Sequence, residues 1–270
     1  LKMFYKFMVK NKKILIKILF LIAVSFTLKY VTHRGFAASE LLGTYQIYMG
    51  GIFLEESASM LQIILFLMTS AVFIYWIPYE IIREIKENEI YIRYRFEKNT
   101  KLLLFISIKN IFYCLFYQFI NVIIVILITF QFDPIQIIGG EFIKLLITST
   151  IQILIILFIS EFFLYRFKFE IGMVFSLLLI AAPVIISGVI IDNFPSNIEL
   201  CKFIPLNHGN YNYYYPSVYI LYDMPVAYSA LPDYKYMFIF ISQVIELIIS
   251  IGGLMYAVNR KDLIGGNYEN

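Results

Sequence analysis

Residues 78–109 read PYEIIREIKENEIYIRYRFEKNTKLLLFISIK, with seven Lys or Arg and five Glu set between two long apolar runs. The apolar runs decide the fold class, and the charged stretch between them decides its orientation. The chain has 270 residues, of which 60% are hydrophobic and 15% charged, with a mean hydropathy of +0.77. A soluble domain of this length needs far more polar surface to cover its core. A helix crossing about 30 Å of hydrocarbon needs about 20 apolar residues. Six segments meet that length, at 14–32, 59–79, 108–130, 142–164, 171–191 and 237–258. The expectation is an all-α polytopic membrane protein, a single transmembrane domain over 1–270 with six transmembrane helices.

Lys and Arg set the orientation. Six lie before residue 18, seven lie in the quoted stretch, and Arg166, Lys168, Arg260 and Lys261 fall on the same side if the spans alternate. The opposite side keeps Lys29, Arg34, Lys144, Lys202 and Lys235. Basic residues accumulate in cytoplasmic loops, so both termini are expected in the cytoplasm. The first span lacks a small-residue cleavage site and is not read as a cleavable signal. Residues 1–13 place Lys6, Lys10 and Lys13, continued by Lys17, at helical spacing against Phe4, Phe7 and Met8. They fit an amphipathic interfacial helix, or a basic flank whose lysines snorkel.

Within the charged loop, residues 80–102, two periods meet. Ile81, Ile82 and Ile85 share a helical face opposite Glu80, Arg83, Glu84 and Glu87. From Ile90 to Glu97 the pattern alternates, which taken alone favours a strand. The order of a basic N-terminus, two spans, Glu-x-x-Arg-Glu with a short charged loop, and Lys109 opening span three resembles the type-two export permeases of ATP-binding-cassette transporters. The long loop before the last span and the ending Asn259-Arg260-Lys261-Asp262-Leu263 are similar too. The resemblance implies that Glu80, Arg83, Glu84, Glu87, Arg93 and Arg95 form a coupling element docking on a separate ABC ATPase subunit. It also implies a second permease copy, as a homodimer or paired permease, with ATP and Mg on the partner ATPase. The chain carries no G-x-x-x-x-G-K-[ST] loop to cradle phosphates, so no cofactor is expected on this chain.

Ionisable groups inside spans are costly and carry functional hypotheses. Glu246 lies midway along the last span with Gln243 one turn before it, and reads either as a pathway group or as a carboxyl bonded to a neighbouring span. Glu161 is expected to reach Arg166 or headgroups. The resemblance places spans two and five beside a central cavity, so Phe73, Tyr75, Pro183 and Ser187 join Glu246 as pathway candidates, and Pro183 should bend its span. The loop 192–236, expected to be extracellular, holds nine Tyr and two Phe among 45 residues. It reads as an interfacial or re-entrant segment, or as an outer gate built on Tyr213, Tyr214 and Tyr215 that handles amphipathic peptides.

Enzyme chemistry finds little footing. Glu55-Glu56 is similar to the paired glutamates of membrane-embedded abortive-infection-type proteases, but Met60 stands where that family has arginine, and His33 and His208 lie outside the spans. No H-E-x-x-H, nucleophile elbow or metal-ligand cluster is present. Cys114 and Cys201 do not suggest a disulfide framework, and a net charge of +3 does not point to nucleic acid. The expected function is the permease subunit of a bacterial ATP-driven exporter in the cell membrane, without a catalytic site of its own. Its cargo is expected to be an amphipathic or antimicrobial peptide, in export or self-immunity, with a lipid or hydrophobic drug next. The alternative is a membrane immunity or scaffold protein that binds a peptide without transporting it.

Overall fold

The computed structural model describes residues 72–87, 99–129, 140–213, 217–221, 224–228, 231 and 235–264, with scattered helical positions within 16–23 and 60–67. A π-helical turn at Val72–Trp76 runs into α1 (Ile77–Glu87). Four long helices follow: α2 (Asn99–Thr129), α3 (Gly140–Arg166), α4 (Phe169–Asn193) and α5 (Tyr236–Ile264). Between α4 and α5 lie three 3-10 segments, Pro195–Phe203, Asn207–Gly209 and Tyr211–Tyr213, and then an antiparallel ribbon of β1 (Ser217–Leu221) and β2 (Met224–Tyr228). The ribbon is the one departure from an all-α reading among the described residues. Pro225, which has no N–H to donate, sits opposite Ile220 in this two-stranded pair, where both strands are edges.

Helices α2 to α5 are long and apolar enough to cross a membrane over Asn99–Ile126, Phe142–Arg166, Phe169–Asn193 and Tyr236–Asn259. At about 1.5 Å per residue, even the 24-residue stretch of α5 spans roughly 36 Å. The last three match the expected spans within two residues. Span three was expected from 108 and its helix begins at Asn99, because Leu102 and Ile106 extend the buried stripe of Tyr113 and Tyr117 by two turns. The expected span 14–32, the 1–13 segment and the Ile90–Glu97 alternation lie wholly or largely outside the described residues; of the expected span 59–79, residues 72–79 form the π-helical turn and the first residues of α1, with scattered helical positions before them.

The side-chain distribution is that of a protein in an apolar solvent. On α2, Lys109, Asn110, Gln118 and Asn121 are buried, while Leu104, Ile108, Leu115 and Phe119 are exposed. Gln118 is 4% exposed and its neighbour Phe119 is 63% exposed. In water this pattern would be inverted; in lipid it is required, because polar side chains there seek partners inside the bundle. The helices hold each other through these groups. Asn110 Nδ2 donates to Glu161 Oε2 at 2.8 Å, Gln118 Nε2 to Ser149 Oγ at 2.9 Å, and Gln243 Nε2 to the Thr148 carbonyl at 3.1 Å. Such interhelical bonds in membranes average about 0.6 kcal/mol each. The chain is therefore a membrane-embedded helical protein.

α3 is the hub. It packs most extensively on α5 and then α4, and also meets α1, α2 and the 3-10 segments. Gly172 at the start of α4 permits a close backbone approach to α3, since a Cβ there would lie 2.8 Å from the Phe163 carbonyl oxygen. Glu161 was expected to reach Arg166 or headgroups; it instead lies fully buried against Asn110 of α2. At one end of the bundle, α1 joins the start of α2, the end of α3, the start of α4 and the end of α5. Asn99 and Asn259 meet there at 2.9 Å, and Tyr79 meets Phe169 at a 4.6 Å ring separation. The end of α4 and the start of α5 lie at the opposite end, where Lys144 of α3 sits over the Tyr236 ring.

The Asn110–Glu161 bond gives a double-mutant test. Asn110→Leu should destabilise by about 1–3 kcal/mol, because it strands a buried carboxyl without its donor. Adding Glu161→Leu should restore most of that loss, read as Tm in detergent.

Candidate functional site

Two polar assemblies occupy the two ends of the bundle. The first is α1. Its apolar face, Ile77, Pro78, Ile81, Ile82 and Ile85, is buried, in a cluster that includes Leu102 and Ile106 of α2, Leu157 and Leu164 of α3, and Ala257 and Val258 of α5. The helix forms here because isoleucines at i, i+4, i+5 and i+8 give one continuous apolar stripe. The opposite face presents Arg83 and Glu87 to solvent. Arg83 bonds Glu80 at 2.6 Å and lies 3.7 Å from Glu87, and the Glu80 charge raises the guanidinium above its usual pKa. Glu84 is different: it turns inward and pairs with Lys109 of α2, a side chain 7% exposed. Lys86 Nζ donates to the Leu164 carbonyl at 3.0 Å. Thus α1 is bonded to α2 and α3 by charged groups as well as packed on them. Glu80, Arg83 and Glu87 lie together on the open face; Glu84, expected on that face, turns inward to buried Lys109 instead, and Arg93 and Arg95 lie outside the described residues.

The second assembly is the segment after α4, which turns back into the bundle. Asn207 Nδ2 donates to Ser187 Oγ at 2.6 Å and to the Cys201 carbonyl at 3.1 Å. Ser187 lies six residues before the end of α4, roughly 9 Å inside it. Glu246 Oε1 accepts from the Leu206 backbone N–H at 2.9 Å and lies 2.7 Å from His208 Nδ1. Glu246 is ten residues into α5, roughly 15 Å along its axis. Gln152 of α3 donates to the Leu206 carbonyl at 3.2 Å. The turn at Leu206–Gly209 is therefore a re-entrant tip held by one polar side chain from each of α3, α4 and α5.

The tip is conformationally costly. Leu206 has φ of 68° and ψ of −11°, the left-handed region, which costs a non-glycine residue about 1–2 kcal/mol. Its N–H and its C=O are both taken by the surrounding helices, and these two bonds hold the strained geometry. Gly209 is required by close approach: a Cβ there would fall 2.1–2.3 Å from Gln152 side-chain atoms. His208 Nε2 faces the Lys202 carbonyl at 3.1 Å, which only accepts. Nε2 must then carry a hydrogen, so the Nδ1···Oε1 contact holds one proton, shared between an imidazolium and carboxylate or an imidazole and carboxylic acid.

The expected pathway residues do not form one site. Ser187 and Glu246 converge on the re-entrant tip from α4 and α5. Phe73 instead packs edge-on against Tyr117 at 4.7 Å, and Tyr75 meets Phe169 at 5.2 Å. Phe169 starts α4, so Tyr75 is roughly 27 Å along that helix from Ser187. Pro183 is buried within α4, which continues through it, and its carbonyl accepts from Ser187 Oγ at 2.8 Å. Tyr213 is a core residue, fully buried with Cys201, Leu231 and Ile239; Tyr214 and Tyr215 lie outside the described residues. Cys114 and Cys201 are both buried and free, and burial pushes the Cys201 thiol up. Sequence reading passed over Gln152, Leu206 and Asn207, and set His208 aside as lying outside the spans, whereas it reaches Glu246 within α5. The signal available was a buried-type Asn-His pair, Asn207-His208, in a loop opposite a mid-span carboxylate.

The tip predicts an asymmetry between two adjacent substitutions. Gly209→Ala should displace Gln152 from the Leu206 carbonyl and destabilise by about 1–3 kcal/mol. Leu206→Gly should be close to neutral, because relief of the left-handed strain offsets the added freedom of the unfolded chain. Thermal unfolding in detergent reads both. No protein-family model matches the chain, and no curated protein or solved structure is found similar to it.

Proposed function

We infer that this chain is a permease subunit of an ATP-driven exporter, moved by a separate ATPase that docks on α1. The observation that carries the reading is the two-faced character of α1. Its apolar face is locked into the bundle, its charged face is open, and Glu84 and Lys86 tie it to α2 and α3. A force applied to such a helix is transmitted to the spanning helices rather than absorbed by a loop. Alternating access requires a two-state membrane element biased from outside, and α1 is suited to receive that bias.

The orientation agrees. Arg83, Lys86, Lys101, Arg166 and Lys168 belong to the α1 end of the bundle, against Lys144, Lys202 and Lys235 at the other. On the basis of that imbalance the α1 end faces the cytoplasm of a bacterial cell, where an ATPase resides, and both termini lie on that side of six spans. The re-entrant tip then closes the bundle from outside. Two copies of the chain, or this chain with a paired permease, enclose the route in contact with membrane lipids, and two ATPase copies bind ATP and Mg. The aromatic loop favours an amphipathic peptide as cargo, exported or cleared from the membrane.

The test uses the exposed charges alone. Reversing Arg83 and Glu87 together, as R83E with E87K, should abolish co-purification with the partner ATPase and leave Tm within about 1 °C, as expected for exposed charges. Unchanged co-purification would contradict docking at α1. Glu84→Lys is not equivalent, since it sets a second cation against buried Lys109 and should lower Tm.

A further inference from the structure

Around the re-entrant tip, four buried oxygens have no hydrogen-bond partner among the described residues: Gln152 Oε1, Asn207 Oδ1, Gln243 Oε1 and Glu246 Oε2. Asn207 and Gln243 are 0% exposed. Buried polar atoms in native structures are nearly always satisfied, so each orphan calls for an explanation. Reorienting the amides does not remove them. The NH2 groups of Gln152, Gln243 and Asn207 each donate to a backbone carbonyl, those of Leu206, Thr148 and Cys201. Flipping any amide would set oxygen against oxygen, so the outward groups are acceptors.

The four lie in one neighbourhood. Gln152 and Glu246 grip the carbonyl and the N–H of the same residue, Leu206, and Asn207 is the next residue. Gln243 precedes Glu246 by one helical turn, on neighbouring positions of one face. The set offers three amide oxygens and one carboxyl oxygen, and no donor. Its complement is a group with several donors, no acceptor and positive charge, which describes a primary ammonium. A low local dielectric strengthens that preference.

We propose that these oxygens form a primary-ammonium site, which receives a lysine or N-terminal amine of the amphipathic peptide cargo. The cargo assignment deepens the proposed function and rests on it; the ammonium site does not. The amine would take Glu246 Oε2 and Gln152 Oε1, the atoms beside the Oε1 and Nε2 that anchor Leu206, and so binds next to the anchors without displacing them.

The purified full-length chain in detergent is heated with methylammonium, tetramethylammonium or sodium chloride at equal ionic strength. Methylammonium should raise Tm saturably by at least about 2 °C, and the other two should not. Gln243→Leu, which leaves both Leu206 anchors in place, should abolish the shift. A shift reproduced by tetramethylammonium or sodium, or one surviving Gln243→Leu, overturns the site. A lysine-bearing amphipathic peptide should act like methylammonium, and its fully acetylated form should not. Equal shifts from both peptides, or none from either, overturn the cargo assignment while the methylammonium result stands or falls separately. Loss of ATPase docking, read by co-purification, bears on the transport reading alone.

Discussion

A segment that leaves a membrane helix and returns into the bundle must find partners for its backbone, because lipid supplies none. Here the Glu246 carboxyl and the Gln152 amide supply them, taking the Leu206 N–H and C=O. The rest of the architecture at that end follows. Asn207 reaches Ser187, His208 reaches Glu246, and Tyr211 and Tyr213 bury their rings beside α2, α3 and α5. Without the two Leu206 bonds, the left-handed turn loses what offsets its strain, and the segment has no reason to remain inside.

The two ends of the protein carry their polar groups differently. At the α1 end, charge is paired in the open, Arg83 with Glu80 and Glu87, or half-sheltered, Glu84 with Lys109. Buried oxygens without a partner among the described residues occur around the Asn110–Glu161 bond and around the re-entrant tip, and the tip adds the left-handed turn at Leu206. Exposed pairs of this kind contribute little to stability, which leaves the open face of α1 available for another surface. The buried, incompletely paired tip is where stability is spent, and strained, under-satisfied sites of this kind concentrate at functional positions. Helices α3, α4 and α5 each touch both assemblies, and α3 packs on the other two.

Much of this was legible in the residues. Long apolar runs gave three spans to within two residues, since hydrocarbon thickness fixes helix length. The Ile81, Ile82 and Ile85 stripe marked α1 and its buried face. Mid-span Glu246 was visible as a costly group with a bonding role, and the loop after α4 was read as a possible re-entrant segment. What stayed hidden depends on tertiary placement. Glu161 looked like an interfacial group because Arg166 is near in sequence, whereas its partner Asn110 is 51 residues away on another helix. Tyr213 stood out as part of an aromatic run, yet it is a core ring beside Cys201 and Ile239. Gln152 and Leu206 carry no local pattern: one is a single amide in an apolar span, and the other becomes special only through its backbone angle.

Hydrogen–deuterium exchange of the segment 204–213 addresses the central claim most directly. If the tip is held within the bundle, the Leu206 amide, bonded to Glu246, and the Tyr213 amide, bonded to the Asn210 carbonyl, exchange on the slow timescale of the spanning helices. Glu246→Gln, which weakens the acceptor and unsettles His208, should then speed exchange of this segment without altering that of α2. Exchange of 204–213 within seconds in the unaltered chain, as for a loop lying on the surface, would contradict the account.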